Sequence, residues 1–390
     1  MNAVIIAILI FLNTASVWAA PAVTEVTGTV TNGSTLTITG TGFGTKSTAA
    51  PLVWDNFEAG TAAANIAGNS PVIGPAWTDY SNNASAHPTY NTASEGNRTN
   101  STKSSFHDFT GAGVYNISLK YSPSSPATFY LSFWWKYIKT STSCSRNIKP
   151  WVIYGTVSSF PSEYVGYGDC VADPNLRTNA EDSPNPTNST MYGADASSIA
   201  NVESEWQMFE VYLVQSAANV SDGKFKVWIY RPFAGSPTVD FGIANLAQSD
   251  AYMTRTTSNT WNELHLGGAF LAQDTPADAR GKIYLDNVYL DTTLSRVMIC
   301  KESTFSARKH CEHQVPSSWS GTSVVVTVNN GAMASGDTKY LYVADSTGAT
   351  NATGFLLSAG SGGEIGTSRN PGVKTPVNRG AAGTSVSGGG

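Results

Sequence analysis

The chain has 390 residues, enough for two or three domains and a substantial buried core. Charged residues make up only 13% of it, aromatic residues reach 11%, and the formal net charge is -5. With no global basic field to hold a phosphate backbone, nucleic acid is excluded as an expected partner, and the composition suits an exported β-protein.

Residues 1–20, "MNAVIIAILIFLNTASVWAA", have the apolar centre and small-residue end of a secretory signal, although the amino-terminal charge is the α-amino group alone. Val17 and Ala19 suit the small positions of a cleavage site and Pro21 disfavours a cut after Ala20, so cleavage is expected after Ala19. A retained membrane anchor would need a longer apolar run, and no later segment is long and apolar enough to span a bilayer. The expected location is secreted or at the surface of a bacterial cell.

Residues 22–51 predict two strands joined by an Asn-Gly turn at Asn32 and Gly33. Leu36 and Ile38 alternate with threonines before the chain turns on glycines around Phe43. Two strands cannot bury a sandwich core.

Residues 53–293 change character, with more Trp and Tyr and longer alternating strands. In "TFYLSFWWKYI" (128–138), Phe129, Leu131, Phe133, Trp135 and Tyr137 share the face assigned to the core, opposite Tyr130, Trp134 and Lys136. In "WQMFEVYL" (206–213), Phe209, Val211 and Leu213 point inward and Glu210 and Tyr212 outward. "DGKFKVWIYR" (222–231) buries Phe225, Val227 and Ile229 and projects Lys226, Trp228 and Tyr230; "NELHLGG" (262–268) buries Leu264 and Leu266 and leaves Glu263 and His265 open.

The first style returns in "RVMIC" (296–300), "CEHQVPSSWSGTSVVVTV" (311–328) and "TKYLYVADSTGATNATGFLL" (338–357). Residues 358–390 lack apolar periodicity and read as a flexible tail. No segment predicts an amphipathic helix longer than two turns, so the architecture is all-β.

Four cysteines, Cys144, Cys170, Cys300 and Cys311, allow three pairings, of which 144 with 170 and 300 with 311 are favoured by closeness in sequence. His310 and His313 beside Cys311 invite zinc, but the absence of short C-x-x-C spacing favours the disulfide.

The stretch "TGTVTNGSTLTITGTGFG" resembles the opening of an IPT/TIG-type immunoglobulin-like domain, and "TSVVVTVNNGAMASGDTKYLYVADSTGATNATGF" its closing half. The resemblance implies one small sandwich split between residues 20–52 and 294–357, with 53–293 inserted through one loop. Two unrelated small β-units are the alternative. The insert opens with "LVWDNFEAG" and closes with "GKIYLDNVYLD". In plan it resembles the jelly-roll sandwiches of concanavalin A-like lectins and carbohydrate-binding modules; a galactose-binding-like jelly roll would give similar signals. That resemblance implies a structural Ca²⁺ at the seam of first and last strands, held by Asp55, Glu58 and Asp286, hard oxygen ligands that otherwise cap turns or face water.

Aromatic rings beside cations on one sheet face suit a sugar platform. The expected ligand-binding residues are Tyr130, Trp134, Lys136, Glu210, Lys226, Trp228, Tyr230 and His265, with Lys136 and Lys226 favouring an acidic polysaccharide. Trp134 and Trp228 have a competing expectation, packing under a covering loop or against the terminal domain. A second candidate, "SRNIKPWVIYG" (145–155), offers Arg146, Lys149 and Trp151 near Tyr154.

No paired-carboxylate glycosidase motif and no serine nucleophile elbow is present. A polysaccharide lyase needs a base at the uronate C5 proton, an acid for the leaving oxygen and a group neutralising the carboxylate. His265, Tyr212 or Tyr230, and Lys226 supply those types. The expected function is non-catalytic carbohydrate binding, with uronate lyase and structural surface protein as alternatives.

Overall fold

The computed structural model describes residues 19–111, 114, 116–124, 126–140, 148–156, 204–230, 250–255, 258–268 and 281–357 in full, and strand backbone alone at 161–167, 176–180, 189–192, 243–249 and 269–270. The predicted signal peptide to residue 18, the tail from 358, Arg146, Cys144 and Cys170 lie outside the described residues.

Strands β1 (Ala22–Gly28) and β2 (Thr35–Thr41) open the chain, and Gly33 at φ 81° lets it reverse between them. The middle of the chain supplies β3 (Val53–Asp55), β4 (Thr78–Ser81), β5 (Thr89–Asn91), β6 (Ser104–Asp108), β7 (Ile117–Tyr121), β8 (Thr128–Lys139) and β9 (Ile148–Gly155). It continues with β10 (Pro161–Tyr167), β11 (Leu176–Ala180), β12 (Ser189–Tyr192), β13 (Gln207–Val214) and β14 (Gly223–Tyr230). Then come β15 (Ile243–Tyr252), β16 (Trp261–Phe270) and β17 (Gly281–Asp291). The closing strands are β18 (Arg296–Cys300), β19 (Cys311–Trp319), β20 (Ser323–Thr327), β21 (Lys339–Ala344) and β22 (Phe355–Leu357).

These strands form three antiparallel sheets, and the fold is all-β. An outer sheet runs β12-β11-β10-β9-β16-β7-β4; a central sheet runs β15-β14-β13-β8-β17-β6-β5, with β3 beside β17; a terminal sheet runs β1-β2-β20-β19-β18-β21-β22. The first two and the last five described strands therefore share a sheet, where Leu36 faces Val326 and Ile38 faces Val324 across β2 and β20. The terminal sheet bends at β19, whose first residues pair with β18 and whose last pair with β20 around a bulge at Pro316. Bent this way, it closes its own small core of Val26, Leu36, Ile38, Phe43, Val297, Ile299, Val324, Val326, Leu341 and Val343.

Between the outer and central sheets lies the main core. The central sheet gives it Phe129, Leu131, Phe133, Trp135, Phe209, Val211, Phe225 and Val227, the outer sheet Ile117, Leu119, Trp151, Ile153, Trp261, Leu264 and Leu266. Each fully buried side chain of this kind contributes about 1.5–3 kcal/mol relative to exposure. The ladder slips beside Pro150, with register shifts between Leu266 and Ala269 and between Val165 and Tyr167, as expected where a proline offers no N–H inside a sheet. Gly267 answers that slip at φ 114°; a Cβ there would meet the His107 ring at 2.2 Å.

The other face of the central sheet is covered by the terminal sheet. In β18, Val297 and Ile299 turn into the small core while Met298 and Cys300 pack with Trp134, Met208, Tyr230 and Tyr284 of the central sheet. Tyr342 of β21 joins the same contact opposite Leu341 and Val343. Cys300 and Cys311 are disulfide-bonded and wholly buried there.

Candidate functional site

The terminal sheet seals the Tyr130, Trp134, Glu210 and Tyr230 side of the central sheet, and among the described residues a second polar cluster lies on the outward face of the outer sheet, buried at His265 and open at Lys120 and Glu263. Antiparallel register sets Lys120 of β7 opposite His265 of β16, His265 opposite Val152 of β9, and Glu263 opposite Tyr154. Ser118 and Lys120 point outward because Ile117 and Leu119 point into the core, and Glu263 and His265 because Leu264 and Leu266 do. Tyr80, on edge strand β4 opposite Ser118, is 48% exposed.

The cluster is tightly connected. His265 Nε2 lies 2.9 Å from Glu263 Oε2 and His265 Nδ1 lies 3.1 Å from Ser118 Oγ. Lys120 Nζ donates to Glu263 Oε1 at 3.3 Å. The Tyr154 ring sits 4.6 Å from that of His265, centroid to centroid, and Tyr80 5.5 Å. Nearby on β4, Asp79 holds His87 Nδ1 at 2.6 Å.

Burial lowers the pKa of His265 despite the opposing hydrogen bond and charge of Glu263, so the imidazole is neutral at neutral pH. Burial pushes the Tyr154 hydroxyl up to about 12, with Tyr80 and Glu263 adding to it, which keeps it protonated. Burial also pushes Glu263 up, but the His265 hydrogen bond and the charge of Lys120 together hold it below its ordinary value. A neutral imidazole, a protonated phenol and an ammonium group thus share one partly open face. Hydrogen bonds from His87 to Asp79 raise the His87 pKa against its slight desolvation.

Most residues expected on an open central-sheet face are not exposed. Tyr130, Trp134, Glu210 and Tyr230 are each no more than 1% exposed, because the terminal sheet packs on them. The competing expectation for Trp134, packing against the terminal strands, describes its position. Its Nε1 donates to Glu312 Oε2 at 3.2 Å and Arg98 stacks over its ring at 4.0 Å. Tyr130 and Tyr230 donate their hydroxyls to Glu210, which also pairs with Arg296 at 3.3 Å and Arg308 at 3.4 Å. Trp228 is half-buried against the same cluster. Lys226 pairs with Asp250 at 2.8 Å and Lys136 donates to the Glu95 carbonyl at 2.7 Å.

The lyase grouping is also taken apart. His265 belongs to the outer sheet, while Tyr212, Tyr230 and Lys226 lie on the central sheet across the core. Trp151, expected near a binding loop, points into that core, and Lys149 on the same strand is buried. Tyr154, Lys120, Ser118 and Tyr80 complete the His265 cluster, and sequence reasoning gave only Tyr154 any site role. For Ser118, Lys120 and Tyr154 the signal was the outward phase of "NISLKY" and "PWVIYG", set against "NELHL" by strand pairing.

The three carboxylates expected to hold Ca²⁺ do not converge. Asp55 accepts from Trp77 Nε1 at 2.7 Å and from the Phe57 N–H at 2.9 Å. Glu58 and Asp286 do line one small cleft of about 50 Å³ with Asn32, Asn56, Asn100, Ser101, Asn287, Asn329 and Gly331. Glu58 accepts from Ser101 Oγ at 2.7 Å and the Thr102 N–H at 2.8 Å. Burial pushes the Asp286 carboxyl up to about 8 against the pull of Arg98. No group of three His, Cys, Asp or Glu side chains placed for a metal occurs among the described residues.

No family model and no curated protein matches the sequence. Solved structures with a similar shape include an alginate lyase in complex with an alginate tetrasaccharide, 12% identical with a TM-score of 0.43, over 63% of this chain and 98% of that one. Another is an endo-β-1,4-glucuronan lyase from the fungus Trichoderma reesei, 10% identical with a TM-score of 0.40, over 61% and 96%. A third is a cellulose-induced protein, 12% identical with a TM-score of 0.39, over 62% and 97%.

Proposed function

We propose that the protein binds an acidic polysaccharide along the outward face of the outer sheet and cleaves it there by β-elimination. One observation carries the reading: the His265 ring lies 4.6 Å from that of Tyr154, and Glu263 holds both His265 Nε2 and the Lys120 ammonium. Lys120 neutralises the uronate carboxylate, which acidifies the C5 proton. His265 Nδ1 takes that proton as Ser118 withdraws its hydrogen bond from the same lone pair, the C4–O bond breaks, and Tyr154 protonates the departing oxygen, leaving a C4=C5 double bond. Tyr80, exposed at the sheet edge, stacks on a neighbouring sugar ring.

Binding without cleavage is the second reading. It is favoured by the internal satisfaction of the cluster, in which Lys120 and both His265 nitrogens already have protein partners. Incubation with uronate polymers, followed by the ultraviolet absorbance of the unsaturated product and by calorimetric binding, separates the two. Product that disappears in Tyr154→Phe supports elimination, binding without product supports the second reading, and neither binding nor product overturns both.

A divalent cation belongs to the same proposal only at the Glu58–Asp286 cleft, whose carboxylates and carboxamides are hard oxygen donors. A thermal midpoint raised by added Ca²⁺ and not raised in Asp286→Asn supports it; an unchanged midpoint removes it.

A further inference from the structure

His265 is held at both ring nitrogens, and the two contacts differ in kind. Glu263, as an ionised carboxylate, only accepts, so Nε2 carries a proton whether the ring is neutral or charged. The nitrogen that changes is Nδ1, 3.1 Å from Ser118 Oγ. Ser118 Oγ has a second partner, Asn116 Oδ1 at 3.4 Å, a carboxamide oxygen that accepts. When the ring is neutral, Ser118 donates to the Nδ1 lone pair. When the ring is an imidazolium, Nδ1–H donates to Ser118 Oγ and the hydroxyl hydrogen turns to Asn116. One hydroxyl rotation satisfies both charge states where Ser118 is 1% and His265 4% exposed, a place in which an unsatisfied charged donor is costly.

We propose that Ser118 is a positioning residue, a hydroxyl rotor between His265 and Asn116 that lets the buried imidazole change charge. The inference deepens the reading of this site as one that moves a proton and rests on it only for where that proton comes from. The charged and titratable groups facing His265 are Lys120 and Glu263, with Tyr154 from β9 and Tyr80 from β4. The order Ser118, His265, Glu263 imitates a hydrolase triad. Yet Ser118 sits inside β7 between β4 and β16, where backbone donors that would hold an oxyanion are committed to the ladder.

The test is a nuclear magnetic resonance titration of the five histidines in wild type, Ser118→Ala and Ser118→Thr. The wild-type His265 ring is expected as the Nε2–H tautomer. A hydrogen bond to a charged group outweighs one to a neutral group, so the Ser118→Ala ring should titrate about one pH unit lower, roughly a tenfold loss of proton affinity. Ser118→Thr keeps the hydroxyl and should titrate as wild type. An Nδ1–H tautomer in wild type, or an unshifted titration in a folded Ser118→Ala whose other histidines are unchanged, overturns the rotor. The wild-type tautomer alone decides if Ser118→Ala does not fold. Should uronate polymers yield no product while the tautomer and shift are as expected, the elimination reading fails and the rotor stands; product with an unshifted titration gives the reverse.

Discussion

Replacing Glu210 by alanine should undock the terminal sheet. The carboxylate is fully buried, accepts the hydroxyls of Tyr130 and Tyr230, and faces two guanidinium groups, Arg296 and Arg308, whose side chains are only 5% and 8% exposed. Burial alone would raise its pKa, but the two arginines and His313 hold it well below the ordinary carboxylate range. Deleting it leaves two cations in a desolvated interface, and breaking a buried pair costs about 3–5 kcal/mol. Against a total stability of roughly 5–15 kcal/mol, that is about a fifth of the margin or more.

Urea unfolding followed by tryptophan fluorescence and by far-ultraviolet circular dichroism reads the effect. Trp134 and Trp206 both lie in the contact between central and terminal sheets, so fluorescence should move to lower urea than the dichroism, splitting a single transition in two. Glu210→Leu with Arg308→Met, which removes charge from both sides, should recover part of the loss. Lys226→Ala removes a pair whose acid, Asp250, is 61% exposed, and should change stability by less than about 1 kcal/mol. A Glu210→Ala protein within 1 kcal/mol of wild type, or no worse than Lys226→Ala, would refute the reasoning.

The acid limb of stability should come from the same interface. Burial raises the Glu312 pKa, but Arg98 and His310 bring it down to about 2, against 4.5 for a free carboxyl. A depressed pKa gives stability that is complete above pH 4.5 and lost as pH falls toward 2, so chemical denaturation at stepped pH should show the loss in that window and Glu312→Gln should flatten it. Breaking the Cys300–Cys311 bridge by double replacement with serine opens a loop with sequence separation 11 and should cost about 3 kcal/mol, checked by calorimetry with and without reductant. Tyr154→Phe should lower elimination by about 10²–10⁴ while leaving calorimetric polymer affinity within a few-fold; equal losses in both would mean that the hydroxyl serves binding.

Strand by strand, the faces were legible in the sequence. Alternation assigned Phe129, Phe133, Phe209, Val227, Leu264 and Leu266 to the core, and the core holds them. The fold class followed from the same pattern, because short alternating runs between Gly, Asn and Pro leave no room for long helices. Alternation does not say which sheet a strand joins. His265 was sorted to the face opposite Leu264 and Leu266, where it lies at 4% exposure, and its neighbours come from β7 and β9, brought beside β16 by a strand order that ignores sequence order. The groups expected around it were on the sheet behind.

Cover was the second thing alternation did not reveal. A mixture such as Tyr130, Trp134, Glu210 and Tyr230 suits a wet sugar platform and a sealed interface equally well. The deciding signal sat in the covering strands. In "RVMIC", Val297 and Ile299 alternate with Met298 and Cys300, and in "KYLYV", Leu341 and Val343 alternate with Tyr340 and Tyr342. Bulky groups on both phases mark strands buried on both faces. One face of each had to close the small core, and the other needed a partner, which the aromatic face of the central sheet provides.

Layer order then separates two clusters that look alike on paper. The Glu210 cluster has the larger pKa perturbations, with Tyr130 and Tyr230 raised far above their ordinary values mainly by burial. Perturbation of that kind marks either a catalytic site or a structural ion network, and access decides between them. Every member of the Glu210 cluster is under the terminal sheet, its charges balanced by Arg296 and Arg308, so its work is to fix how the two sheets meet. The His265 cluster has milder shifts, a Lys120 side chain 25% exposed and a Tyr80 at the sheet edge. Lys120, Glu263 and Tyr80 at the rim of the second cluster are open to solvent, which is why the proposed chemistry is placed on the outward face of the outer sheet and not on the aromatic face that the sequence advertises more loudly.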